Sequence, residues 1–405
     1  MTLSRTEAWL GRPGVVCCLG AGLDEIATRL RAGDTSGMQA STGWIPGRST
    51  VLGRCVSFLP AIPDSLAAYH ISRNNQLLLA AAQQIEPALR QAIARYGRHR
   101  VGIVLGTSTS GIDDSVPAFK RLRETGSLPT GYDYRRQALS APSSFLADWL
   151  GCTGPAQTIS TACTSSARAL LSARALLRMN ICDAVICGGA DTLCRLTING
   201  FASLGAISDT LCRPFSATRN GISIGEASVL FLMEREARDH EAVALLGGGA
   251  SSDAWHMSSP EPNGLGPRLA MQAALQEAGL QTSDIGWVNL HGTGTELNDA
   301  MESLAMDTLF PGQGVPCAST KAMTGHTLGA AGALEAALTW ATLSADNIGR
   351  DLPPHIWDGQ VDANLPALDF SGAGQRYAAD RRPVAMSNSF AFGGNNTSLI
   401  LGAPA

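Results

Sequence analysis

Thr158-Ile159-Ser160-Thr161-Ala162-Cys163-Thr164-Ser165-Ser166-Ala167 is the stretch on which the reading of this chain turns. A short β-like run at 156–159 leads into a cysteine, and behind it Leu170, Leu171 and Leu177 recur near the helix period. Cys163 is therefore expected at a strand-to-helix turn. The first N–H groups of a helix lack internal partners and the aligned peptide dipoles add positive potential, so this position is expected to stabilise a thiolate and lower its pKa. The same residue also fits as a small buried hydrophobe, the ordinary state of a free cysteine. The rest of the chain has to decide between the two.

A chain of 405 residues exceeds the size at which a single core usually stops growing, so two fused halves are expected, 1–240 around Cys163 and 241–405 around two histidines. The 44 glycines and the charged fraction of 16% describe a turn-rich, compact enzyme and exclude a disordered or fibrous chain. A net charge of −4 gives no reason to expect nucleic acid as a partner. The ten cysteines form no C-x-x-C pair and no zinc-like spacing with the seven histidines, so no metal site is expected. Residues 1–12 are polar and the apolar run 15–19 is too short for a signal sequence, which with the many thiols predicts a reducing, cytoplasmic location. No segment approaches the ~20 apolar residues that would span a bilayer.

Outward from the cysteine, 15–19 reads as a first strand and 24–31 as a helix with Asp24 as N-cap. Residues 77–94 read as one helix, and 101–105 as a central parallel strand covered on both faces. That strand opens into Gly106-Thr107-Ser108-Thr109-Ser110-Gly111, which lacks the Lys-Ser/Thr of a P-loop and suits the lining of a substrate channel better than phosphate. Residues 145–150 read as a helix, with strands at 184–187 and 228–233 closing the first half. The second half offers a strand at 243–246, a helix at 267–278 and a strand at 287–290 that delivers His291-Gly292-Thr293-Gly294-Thr295. A helix N-capped by Asp299 follows, then a loop at 319–325 with Lys321 and His326, and an alanine-rich helix at 329–343. Pro353-Pro354 reads as a surface connection, and strands at 384–386 and 397–401 end the chain. This alternation predicts an α/β fold with largely parallel sheets. Loops at the carboxyl ends of such strands converge on one crevice, so Cys163, His291, Lys321 and His326 are expected to meet.

Four blocks carry a resemblance: Thr161-Ala162-Cys163; His291-Gly292-Thr293-Gly294-Thr295; Ser319-Thr320-Lys321 with Gly325-His326-Thr327-Leu328-Gly329-Ala330-Ala331-Gly332; and Ser387-Asn388-Ser389-Phe390-Ala391-Phe392-Gly393-Gly394-Asn395-Asn396. In this order they resemble the signature blocks of the β-ketoacyl-acyl carrier protein synthases, elongating condensing enzymes of the thiolase superfamily. The resemblance implies a five-layered αβαβα fold of two related halves, assembled as a homodimer or as a heterodimer with a chain-length-factor-like homologue. It also implies that an acyl carrier protein delivers substrates on its phosphopantetheine, with no cofactor of the chain's own. Carried over, Cys163 matches the acyl-accepting nucleophile, and His291 and His326 match the pair that promotes decarboxylation of the malonyl unit. Lys321 matches the family's lysine, Glu335 its acidic neighbour and Asp299 the carboxylate after HGTGT. Thr293 and Thr295 match contacts to the pantetheine arm, and Phe392 matches the gate whose backbone N–H joins that of Cys163 in the oxyanion hole. Thr109 matches the position that sets tunnel depth, Phe201 resembles a tunnel wall, and 132–137 resembles the segment that reaches in from a neighbouring subunit.

Departures from the pattern narrow the expectation. The N-terminal strand and turn are short for the family, and Met323 stands where a small residue is common and could narrow the donor side. The Thr-Ser-Thr-Ser loop resembles most the condensing enzymes of aryl polyene and related pathways. A non-catalytic chain-length factor is disfavoured by intact Cys163, His291 and His326. A coenzyme A-dependent thiolase would need a late cysteine, but the last is Cys317. The initiating synthases, with Cys-His-Asn, are disfavoured by the second histidine. The chain is thus expected to condense an acyl thioester held on Cys163 with malonyl-carrier protein, giving 3-oxoacyl-carrier protein and CO2.

Overall fold

The computed structural model describes residues 8–238, 242–312 and 314–403; the expected boundary at 240/241 lies outside the described residues. Apolar strands buried on both faces need helices on each side, and the chain supplies them as five layers. In the first half the strands lie side by side as Ala156–Ile159, Val101–Gly106, Ala184–Asp191, Ala227–Glu234 and Gly14–Cys17. In the second they lie as Cys317–Ala318, Trp287–Asn289, Val384–Phe390, Asn395–Gly402 and Val243–Ser252. Numbered within its own half, each set has the order 3-2-4-5-1, with the same alternation of parallel and antiparallel pairs. Ala8–Leu10 pairs antiparallel with both Ala227–Glu234 and Val243–Ser252, joining the sets into one twelve-stranded sheet.

The expectation of largely parallel sheets needs correcting, since the last two strands of each set run antiparallel to their neighbours. Only residues 391–394 separate Val384–Phe390 from Asn395–Gly402, which permits a hairpin and forbids a parallel crossover. Val101–Gly106 does hold the predicted place, fully buried between two parallel partners.

Helices Ser165–Arg178 and Ala331–Leu343 form the middle layer, and the second is buried at every position. Their alanine and glycine content has a packing cause: a Cβ at Gly332 would stand 2.7 Å from the Cβ of Ala167. Arg73–Gln84, Glu86–Tyr96 and Ala141–Leu150 cover the outer face of the first half, and Leu265–Ala278 and Glu296–Leu309 that of the second.

Several local expectations are corrected. The single helix at 77–94 is two, broken at Ile85, because Pro87 has no N–H to donate and its ring obstructs the preceding turn. The first helix starts at Leu23 with Gly22 as N-cap, so Asp24 lies in its first turn. Likewise Thr295, not Asp299, is the N-cap of Glu296–Leu309. The 319–325 loop contains a short helix, Lys321–Thr324. Pro353 and Pro354 are buried, held where Ser371 Oγ donates to Pro353 O at 2.6 Å.

Candidate active site

Cys163 stands between the strand Ala156–Ile159 and the helix Ser165–Arg178, as the sequence predicts. Ala162 adopts φ +54°, a left-handed turn that swings Cys163 toward the second half. Ser165 fixes the elbow, accepting from Thr161 N at 2.9 Å and donating to Ala162 O at 2.5 Å. The backbone N–H groups of Cys163 itself and of Phe392 lie near enough to the sulfur to favour its charged form.

The expected lowering of the thiol pKa is corrected. Burial dominates and pushes Cys163 up to about 12, while the Lys321 charge and the two N–H groups only partly oppose it. The thiol is protonated at neutral pH, and the favourable helix start does not offset the loss of water.

The two histidines arrive from the other half. His291 follows Trp287–Asn289, and His326 follows Gly325, whose φ of +68° and Gly225 backbone neighbours at 2.7–2.9 Å from any Cβ leave room only for glycine. His326 Nε2 lies 3.0 Å from Cys163 Sγ, and the two imidazoles meet edge to face at 5.3 Å. Desolvation, with the nearby Lys321 charge, holds both pKa values well below the usual histidine value, so both rings are neutral. Lys321 Nζ donates toward His291 Nδ1 at 3.4 Å, to His291 O and to Glu335 Oε1. That donor leaves His291 Nε2 as the protonated nitrogen; it is buried and has no partner among the described residues. Glu335 is raised to about 7, because burial outweighs the ammonium beside it.

The remaining expected residues sit around this centre at different distances from the chemistry. Asp299 does not touch the histidines: its carboxylate accepts from Phe215 N, Thr293 N and Gly294 N, and burial raises it to about 6. Thr293 and Thr295 share a hydroxyl contact of 2.9 Å. Thr295 and Phe392 line a cleft of about 280 Å³ that includes Arg219, Leu297 and Leu204; Thr293 is buried behind it. Phe392 meets Phe201 edge to face at 5.6 Å. Thr109 is fully buried, its hydroxyl donating to Asp191 at 2.7 Å and accepting from Thr192 N at 3.1 Å. Met323 belongs to the central core and is not among the cleft-lining residues.

Three supporting residues escape the sequence reading. Glu302, fully buried, accepts from His291 N and Gly292 N at 2.7 Å each and is raised to about 8 by burial. Its signal was its spacing of three from Asp299, which puts both acids on the buried side of one helix. Asp191 gathers Thr107 Oγ1, Ser108 N, Thr109 N and Oγ1, and Gly329 N, tying the 106–111 loop to the loop after His326. His355 accepts from Ser319 N at 3.1 Å, behind the lysine loop, and burial lowers it to about 4. The spacing argument against a metal motif concerns sequence neighbours only; the fold brings ligand atoms of Cys163, His291 and His326 within 4.8 Å of one another.

Five layers with duplicated strand order, and a cysteine elbow from one half facing two neutral histidines from the other, define a thiolase-like acyltransferase class. The chain belongs to the β-ketoacyl synthase family: the family descriptions "Beta-ketoacyl synthase, N-terminal domain" and "Beta-ketoacyl synthase, C-terminal domain" match residues 64–238 and 243–353. It is similar to the ketosynthase ApeO, solved in complex with its chain length factor ApeC, from Xenorhabdus doucetiae, at 48% identity and TM-score 0.91 over 98% of each chain. A β-ketoacyl synthase from Burkholderia phymatum is 29% identical with TM-score 0.84, covering 98% of this chain and 100% of that one. The 3-oxoacyl-[acyl-carrier-protein] synthase 2 of Staphylococcus aureus is 29% identical over 352 residues, 83% of this chain and 85% of the relative. No helix among the described residues is long and apolar enough to cross a membrane.

Proposed function

We propose that this chain is a β-ketoacyl-acyl carrier protein synthase that elongates an acyl chain held on Cys163, working in the cytoplasm with a chain-length-factor-like partner in an aryl polyene type of pathway. The observation that carries this reading is the convergence of Cys163 Sγ, His326 Nε2 at 3.0 Å and a buried His291 Nε2 that has no partner among the described residues. The 48% identity to a ketosynthase solved in complex with its chain length factor supports the heterodimer over the homodimer. The segment 132–137, with Tyr134 largely exposed, is the part offered to that partner. The division into halves 1–240 and 241–405 is supported by the two family matches, which end at 238 and resume at 243.

In this reading the carrier's phosphopantetheine enters the cleft along Thr295, with Thr293 holding the Thr295 hydroxyl, and Phe392 gates its inner end. Cys163 attacks the acyl thioester, and its proton leaves with the pantetheine thiol. The tetrahedral oxyanion is held by the N–H groups of Cys163 and Phe392, where loss of one such donor costs ~3 kcal/mol. Malonyl-carrier protein then takes the vacated cleft. Its carboxylate departs as CO2, and the enolate oxygen is held by the Nε2–H groups of His291 and His326, neutral donors that do not trap the charge as a proton. The enolate carbon attacks the acyl carbonyl, the C–S bond to Cys163 breaks, the departing sulfur takes a proton from solvent to return to the thiol, and 3-oxoacyl-carrier protein leaves. Lys321, fixed on Glu335, sets the His291 tautomer; Thr109 and Phe201 bound the acyl tunnel. The chain itself supplies all the groups this sequence of steps uses.

Intact-mass analysis with a panel of acylated carrier proteins tests the reading. Cys163→Ala should lose the acyl mass increment while retaining CO2 release from malonyl-carrier protein. His291→Ala or His326→Ala should do the reverse. An acyl increment persisting in Cys163→Ala would refute the assignment.

A further inference from the structure

The catalytic chamber has the composition of a transition-metal site. Cys163 Sγ, His291 and His326 place their ligand atoms within 4.8 Å of one another, fully enclosed by protein. A tetrahedral Zn2+ with bonds of ~2.3 Å to sulfur and ~2.0 Å to nitrogen sets ligand atoms about 3.3–3.5 Å apart, so small side-chain shifts would close the three around one ion. One thiolate and two imidazoles form a donor set that binds zinc and cobalt firmly.

The surroundings oppose that use. A histidine that binds metal through Nε2 must carry its proton on Nδ1, and in built sites that N–H donates to a carboxylate, a carbonyl or water. His291 Nδ1 meets the opposite: Lys321 Nζ, a donor, at 3.4 Å. Lys321 cannot turn away, because it is anchored to Glu335 Oε1 and to His291 O, and all of it is buried. His326 Nδ1 is buried with no acceptor among the described residues. The ammonium also adds a positive charge next to the place where the cation would sit.

We propose that Cys163, His291 and His326 form a latent site for a soft divalent cation, Zn2+ or Co2+, and that Lys321 keeps it closed by holding His291 in the tautomer that cannot ligate through Nε2. This gives Lys321 a second task besides its ion pair with Glu335: it keeps a Cys-His-His chamber available to thioesters where trace zinc would occupy it. The inference rests on the geometry alone and stands or falls separately from the reaction proposed above. Binding would release one proton, from the Cys163 thiol to solvent, as the sulfur becomes a thiolate ligand.

The test is Co2+ and Zn2+ titration of the purified full chain, read by the thiolate-to-cobalt charge-transfer absorption and by protection of Cys163 from alkylation. Lys321→Gln removes the charge and offers Nδ1–H a carbonyl acceptor; Lys321→Met removes the charge alone. Both variants should bind Co2+ and Zn2+ ~10- to 100-fold more tightly than the wild type, the range by which such outer partners usually change metal affinity. The charge-transfer band should vanish in Cys163→Ala/Lys321→Gln. A wild-type protein that shows the band and full protection at one equivalent of metal would overturn the proposal without any variant. So would Lys321→Gln and Lys321→Met proteins that are folded by circular dichroism yet bind no more tightly than the wild type.

Discussion

Glu302 offers the sharpest test of how the fold positions the chemistry, because it touches no reacting atom and holds only backbone. Its two carboxyl oxygens accept from His291 N and Gly292 N at 2.7 Å each, in a fully buried setting. Glu302→Ala removes both acceptors and leaves two buried N–H groups unsatisfied, at about 1–3 kcal/mol each. Glu302→Gln resembles the protonated acid that a pKa raised to about 8 implies near neutral pH. It keeps one oxygen and turns an NH2 toward the other N–H, so it should lose about half as much. On the rate, release of the His291 backbone lets the imidazole shift, and a misplacement of ~1 Å costs about 100-fold. Glu302→Ala should therefore slow CO2 release from malonyl-carrier protein by ~10- to 100-fold while leaving acyl loading of Cys163, which hangs from the other half, close to normal. Parallel measurement of CO2 release, acyl mass increment and urea unfolding separates the two effects. A folded Glu302→Ala protein that decarboxylates at the wild-type rate would refute the reasoning, as would equal losses of loading and decarboxylation.

Two further outcomes follow from the buried carboxyls and the tunnel loop. Glu335 and Glu302 carry folded pKa values of about 7 and 8 against an ordinary 4.5, so the folded chain binds protons there that the unfolded chain has already released. Stability from these groups is present at low pH and is lost as pH rises through 7 and 8. The histidines, lowered in the fold, have finished titrating in both states above their ordinary 6.5 and do not offset this. The urea midpoint should thus fall between about pH 6.5 and 8 and level off above, with a shallower fall in Glu302→Gln; a rising midpoint would contradict the assignment. Thr109→Phe should shorten the longest chain accepted in product analysis. Thr109→Val, which keeps the volume but loses the hydroxyl bonds to Asp191 and Thr192 N, should cost about 1–3 kcal/mol without that shortening. Unchanged product lengths for Thr109→Phe would place the tunnel elsewhere.

The residues that could be read from sequence share a property: each breaks the local pattern with a reactive side chain flanked by small residues. Cys163 sits between a strand and a helix, and His291 and His326 stand beside Gly292 and Gly325, both at positive φ and the latter pressed against the Gly225 backbone. Strand existence was legible for the same reason, since runs such as Val101–Gly106 are apolar throughout. Strand direction was not, because a parallel and an antiparallel neighbour bury the same side chains; only the four-residue connection at 391–394 distinguishes them. Asp24 and Asp299 show a related ambiguity. An aspartate near a helix start serves equally as N-cap or as a first-turn residue, and Asp299 spends its oxygens on Phe215, Thr293 and Gly294, two of them in the loop it follows.

What the sequence could not convey is the balance between burial and local field. A helix start lowers a thiol pKa only while water still shares the work of solvating the charge; at 4% exposure Cys163 has lost that water, and its pKa moves the other way. The same desolvation holds His291 and His326 neutral beside a lysine and raises three carboxyls around them. A chamber built this way suppresses resting charge on nearly every group, so the sulfur stays a thiol and the imidazoles stay donors until substrate arrives. In the proposed reaction the oxyanion and the enolate would form beside fixed N–H groups, and a low dielectric makes such contacts stronger than they would be in water. The raised thiol pKa is therefore compatible with the nucleophilic role proposed for Cys163: in that reaction the attacking charge would form beside the donors that receive it and pass to the acyl oxygen, without a free thiolate having to persist.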